Sequence, residues 1–133
     1  MQRRAACPSM GIVRRRTYRQ LRAATESSLH HYVYVVLLDP KAAKDRKVLK
    51  DNPKRDRKKP CVYVGMTGLA PEERFQNHKN GIKSSSIVQR FGLKLLPEMY
   101  EWLNPMPFEA AVQMEGDLAE DLRRQGYTVA GGH

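Results

Sequence analysis

Arg74 and His78 stand four residues apart in the stretch Pro71-Glu72-Glu73-Arg74-Phe75-Gln76-Asn77-His78, a spacing that puts both side chains on one face of a helix. An arginine there can clamp a phosphate through two parallel N–H donors, and a histidine beside it can accept or give a proton near neutral pH. Taken alone, the pair is equally consistent with ordinary surface decoration. Glu115 is the third candidate. It follows Phe108 by two helical turns, within a set of Phe108, Ala111, Val112, Leu118, Ala119 and Leu122 that recurs at helical spacing. A carboxylate on such a stripe needs a cation, a hydrogen-bond network or a metal to offset its desolvation. An internal salt bridge meets that need as well as a metal does. Tyr34 and Tyr63 lie inside two apolar runs, where a phenol either packs or points its hydroxyl into a pocket. Gly65, two residues after Tyr63, permits a close approach of backbone or ligand.

The elements that must position these groups follow from the pattern. His31 to Leu38 is β-branched and aromatic and stops at Asp39-Pro40, and Cys61 to Met66 repeats that signature; both read as strands that pair antiparallel. Residues 39–60 hold ten Lys or Arg, four Asp and three Pro, too little apolar content to pack, so an exposed basic loop is expected. Pro71 with Glu72 and Glu73 suits the first turn of a helix running to Asn80 and ending at Gly81. Ser84 to Ser86 can cap a short helix through Phe91, Leu93 to Leu96 reads as a weaker third strand, and Pro97 to Leu103 as one or two helical turns. Phe108 to Gln125 is the clearest helix, with Gly126 as its C-terminal cap, and Tyr127 to His133 is a short extended tail. Trp102 is expected in the core.

Composition narrows the function classes. The chain has 133 residues and a net charge of +10, one domain by size. Residues 1–31 and 39–60 carry +6 each, and residues 98–133 carry −5. Such a field attracts polyanions and releases their counterions, so nucleic acid is the leading partner. The longest apolar run, Tyr32 to Leu38, has seven residues against the roughly 18 that a membrane span needs. No membrane partner is expected. Cys7 and Cys61 cannot make a disulfide framework, and no signal-peptide pattern opens the chain, so a cytoplasmic location is expected. No paired cysteine or histidine unit of the zinc type occurs, nor a glycine-rich phosphate loop with its lysine, nor a serine-hydrolase elbow. The organisation read from these features is a flexible basic arm over residues 1–28, with a short helix across Thr17 to Ala24, followed by one domain over 29–133 that carries the basic insertion.

In chain order, Tyr32-Val33-Tyr34 on a first strand, Tyr63-Val64-Gly65 on a second, Arg74 and His78 on the next helix and Glu115 on a late helix resemble the GIY-YIG nuclease family. The resemblance spans roughly residues 31–132, and Val62 to Gly68 with Glu73-Arg74-Phe75 and His78 is its strongest local part. It implies a small α/β domain whose central three-stranded antiparallel sheet is flanked by helices, and hydrolysis of nucleic-acid phosphodiesters, DNA first among them, assisted by Mg²⁺ or Mn²⁺. By the same resemblance Glu115 would hold the metal, Arg74 the scissile phosphate, and Tyr34, Tyr63 and His78 would position or deprotonate the attacking water. Gly65, Thr67, Lys54, Arg55, Arg57, Lys58, Lys59 and Lys79 would meet the nucleic acid. The chain departs from the pattern at Tyr32, where the family has glycine, in the long segment between the tyrosine motifs, and in lacking an asparagine after the late helix. A non-catalytic nucleic-acid-binding module on this scaffold is the alternative, and monomer and homodimer both stay open.

Overall fold

The computed structural model describes residues 29–132; the basic arm over 1–28, with its expected helix and Cys7, and His133 lie outside them. The chain builds strand β1 (Tyr32–Leu38), a 3₁₀ turn (Pro40–Lys44), helix α1 (Arg46–Asp51), β2 (Cys61–Thr67), α2 (Pro71–Lys79), α3 (Ser86–Phe91), β3 (Gly92–Leu95), two 3₁₀ turns (Pro97–Met99 and Glu101–Leu103), α4 (Phe108–Arg124) and β4 (Thr128–Gly131).

The sheet corrects the expected architecture. It has four strands in the order β3-β1-β2-β4 and is mixed, because β1 pairs antiparallel with both β2 and β3 while β4 runs parallel to β2. The expected extended tail is therefore an edge strand, reached by a crossover through α4. Side chains alternate across a sheet, so Tyr34, Cys61, Tyr63, Gly65 and Thr128 share one face. Val33, Val35, Val62, Val64 and Val129, none of them exposed, share the other, and α4 packs across β1, β2 and β4 to cover it.

Residues 39–60 also depart from the exposed loop. Asp39 accepts the Lys41 amide at the start of the 3₁₀ turn, and Asp45 accepts the amides of Lys47 and Val48 as the N-cap of α1. Each is an acceptor at a turn whose first N–H groups have no internal partner. Ala42, Val48 and Asn52 are buried, so a few apolar contacts hold a segment whose remaining side chains are solvated.

Helix α4 is rotated relative to the expected stripe. Phe108 and Val112 are roughly half exposed, whereas Ala110, Ala111, Met114, Leu118 and Leu122 face the core. Asp117 and Asp121 are buried beside them; Gln113 donates to Asp117, and Gln125 donates to Asp121. Trp102 is 41% exposed rather than in the core, and Tyr100 and Leu103 fill that region instead.

Two asparagines finish the sheet where strands run out, since unpaired strand N–H and C=O groups need partners. On one side β3 is short, and Asn104 takes its place beside Val33, accepting its N–H at 2.9 Å and donating to its C=O at 2.8 Å. On the other, buried Asn52 accepts the N–H of Val129 at 2.9 Å and donates to its C=O at 2.8 Å, while Arg123 donates to Asn52 Oδ1. Replacing Asn52 by leucine strands the Val129 N–H in a water-free position, while the Val129 C=O keeps the bond that Arg123 donates at 3.2 Å. The expected loss is about 2 kcal/mol or more of unfolding free energy, read from urea titration; an unchanged midpoint would contradict this account of the edge.

Candidate functional site

Three aromatic rings meet above Gly65. Tyr34 comes from β1, Tyr63 from β2 and His78 from α2, with ring centroids 6.2 Å (Tyr34–Tyr63), 6.1 Å (Tyr34–His78) and 5.8 Å (Tyr63–His78) apart. The register sets the meeting point, because Tyr34 stands directly opposite Gly65. A Cβ at residue 65 would come within 2.6 Å of Tyr34 Oη and 2.9 Å of Tyr63 Cε2, inside any real contact distance. Glycine is thus required there by space.

His78 is fully buried, and its two nitrogens have distinct partners. Nδ1 accepts the backbone N–H of Ser85 at 3.0 Å, and Nε2 lies 2.8 Å from Tyr34 Oη. A backbone N–H can only donate, so Nδ1 carries no proton and the neutral ring holds its hydrogen on Nε2. That hydrogen is directed at the phenol oxygen of Tyr34. Burial, and secondarily the charge of Arg74, push His78 down to about 4. The ring is neutral at pH 7 and offers no free lone pair.

Burial lifts Tyr34 well above the ordinary phenol range; Tyr63 and Glu115 add to the rise and Arg74 opposes it. Tyr63 is raised by burial and by Glu115, with Ser85 and Arg74 opposing. Arg74 is half-buried on α2, fixed by donating to the carbonyls of Lys83 at 2.9 Å and Ile82 at 3.4 Å. Two such bonds leave further guanidinium donors for an anion.

Glu115 is half-buried on α4 near the end of β4, where a Cβ at Gly132 would lie 3.6 Å from its carbonyl oxygen. Burial raises its carboxyl to about 7. Among the described residues it has no ion pair, in contrast to Asp121, which lies 3.7 Å from Arg124. The internal salt bridge weighed for Glu115 does not form within residues 29–132.

The structure therefore gathers Tyr34, Tyr63 and His78 in contact, with Arg74 and Glu115 each within electrostatic reach of the two phenols. The residues assigned to nucleic-acid contact are spread more widely. Gly65 is buried under the rings, and buried Thr67 accepts the Leu69 amide in the turn after β2; both shape the site from below. Lys79 is tied to the C-terminal end of α3 by bonds to the carbonyls of Gln89 and Gly92. Lys54, Arg57, Lys58 and Lys59 are exposed and Arg55 half-buried on the segment before β2. Ser85, Asp45 and Lys47 are not among the residues whose types suggest chemistry, yet with Tyr63 they line a cavity of about 270 Å³ beside the rings. The serine cluster is marked in the sequence only as a cap, and Asp45 and Lys47 fall in the segment read as an exposed loop.

Comparison with known protein families, with characterised proteins and with solved structures finds no match to this chain.

A carboxyl raised by burial costs the folded state stability as pH rises from its unfolded value near 4.5 to about 7, because the unfolded chain releases that proton first. Glu115→Gln removes the cost. Thermal unfolding should show the variant gaining on wild type at pH 8 and much less at pH 5. An equal difference at both values would mean that Glu115 has a cationic partner.

Proposed function

We propose that this protein is an endonuclease that hydrolyses nucleic-acid phosphodiester bonds, DNA first, with a divalent cation held at Glu115, in the manner of the GIY-YIG nucleases. The observation that carries the reading is the cluster of two phenols packed on Gly65, a neutral imidazole against both rings, and Arg74 and a desolvated Glu115 close enough to act on both phenols.

Glu115 suits a hard cation. Its oxygen donors, partial burial and lack of an ion pair among the described residues leave a negative charge that Mg²⁺ or Mn²⁺ would offset. Among the described residues no group of three or more His, Cys, Asp and Glu could hold a metal, so water and substrate oxygens would complete the shell, as Mg²⁺ commonly allows. When bound, the cation supplies Lewis-acid stabilisation of charge on the phosphate.

The other roles follow from the hydrogen bonds. Arg74, held by the carbonyls of Ile82 and Lys83, presents its remaining N–H groups to the phosphate and to charge gathering there. His78 is a positioning residue: with Nδ1 filled by the Ser85 amide, it can only donate from Nε2. Tyr34 is then the group suited to take a proton from the attacking water, since its phenolate would be held by the Nε2 hydrogen of His78 and the charge of Arg74. The phenolate is scarce at neutral pH and strongly basic once formed. Tyr63 packs against the same glycine and walls the site.

Supercoiled plasmid incubated with purified wild type, Glu115→Ala and Arg74→Ala, with and without Mg²⁺ or Mn²⁺, tests the reading. Cleavage should need metal and fall about 100-fold or more in either variant. It should also rise with pH from 6 to 9, because ionised Glu115 and deprotonated Tyr34 are both favoured in that direction. Wild type that binds DNA and cuts no substrate would replace the nuclease by a binding module on the same scaffold.

A further inference from the structure

At the Cys61 end of the sheet, away from the rings, a second cavity of about 520 Å³ is lined by Lys44, Arg55, Arg57, Lys58 and Lys59. Its floor includes Cys61 and Thr128, the first paired residues of β2 and β4. None of the five cations forms an ion pair among the described residues. Three of the four acids of the same segment are spent on backbone, Asp39 on the Lys41 amide, Asp45 at the N-cap of α1 and Asp56 on the Lys58 amide at 2.9 Å, and the fourth, Asp51, lines the other cavity. Five like charges around one concavity repel one another unless an anion enters.

The lining is also held in place. The Asp56 amide donates to the Gly126 carbonyl at 2.7 Å, and Lys59 Nζ rests 5.2 Å from the centre of the Tyr127 ring. Both anchors lie just past the end of α4. The Asp56 backbone and the Lys59 side chain are therefore placed before any ligand arrives, which lowers the ordering cost of binding.

Its position gives the ligand class. Cys61 and Tyr63 are two residues apart on β2 and face the same side, a separation of about 6.6 Å along the strand. The rise of about 3.4 Å per nucleotide is measured along the duplex axis; the strand winds round that axis, so successive phosphates lie about twice as far apart and the separation matches one phosphate step.

We propose that this cavity is a second phosphate site, which holds a backbone phosphate of the nucleic acid neighbouring the bond cut beside Tyr63; the inference rests on the nuclease reading above. Lys54 lies outside the lining and takes no part. Phosphate contacts of this kind fix register and orientation without reading sequence.

The test is fluorescence anisotropy of a short labelled DNA duplex, titrated with protein across a range of salt. The variants are the triple Lys44→Ala/Arg57→Ala/Lys58→Ala and an equally charged control, Lys41→Ala/Lys50→Ala/Lys94→Ala. All six side chains are exposed, and circular dichroism checks that both variants are folded. The cavity triple should weaken binding about 10-fold or more and flatten the salt dependence of log K by about 2, while the control changes each far less. Equal losses in the two triples, or a cavity triple with the wild-type slope, would overturn the phosphate site and leave the nuclease reading standing. Wild type that binds no DNA at all would remove both.

Discussion

The hydrogen bond from the Ser85 amide to His78 Nδ1 decides what the neighbouring groups can do. A single backbone donor, supplied by the turn before α3, fixes which imidazole nitrogen carries the hydrogen. The other nitrogen then points a donor at Tyr34, and the phenol becomes an acceptor within a buried pocket. Without that amide the ring could adopt either tautomer, and the division of roles between phenol and imidazole would be lost. The bond also explains why α3, a helix of six residues, matters to the site beyond the lining that Ser86 and Ile87 supply to the cavity.

The fold serves that bond through spacing and edges. β1 and β2 pair so that Tyr34 meets Gly65, and α2 delivers Arg74 and His78 together because four residues make about one helical turn. α4 and β4 close the other side and bring Glu115 near the phenols. Neither edge of the sheet could hold its backbone alone. Asn104 completes β1 beyond the end of β3, and Asn52 does so for β4, so the insertion between the tyrosine strands is also a clamp on the strand that walls the site.

Much of the site is legible in the residues. Arg74 and His78 at helical spacing, two tyrosine-bearing apolar strands and a glycine after the second are local patterns, and local geometry carries them directly into space. Other parts depend on contacts between distant segments. The four residues of β4 include Ala130 and Gly131, which have little strand preference, and their order comes from pairing with β2 and from Asn52, 77 residues away in sequence. The register of α4 is a similar case. Its sequence allows Phe108 and Val112 inside, but the closer packing of Ala110, Ala111 and Met114 on the sheet turns them outward and buries Asp117 and Asp121, which glutamine partners make tolerable. In the insertion, charge conceals two short helical turns, although Asp39 before Pro40 and Asp45 before Arg46 are cap signals that mark where each begins.

The central claim concerns a proton, and nitrogen NMR of the His78 ring observes it. Long-range ¹H–¹⁵N spectra of wild type, assigned by comparison with His78→Gln, should show a protonated Nε2, an unprotonated Nδ1 and no titration until the pH falls toward about 4. A ring that carries its hydrogen on Nδ1, or that titrates near its ordinary value of about 6.5, would contradict the account and return the proton-accepting role to the imidazole.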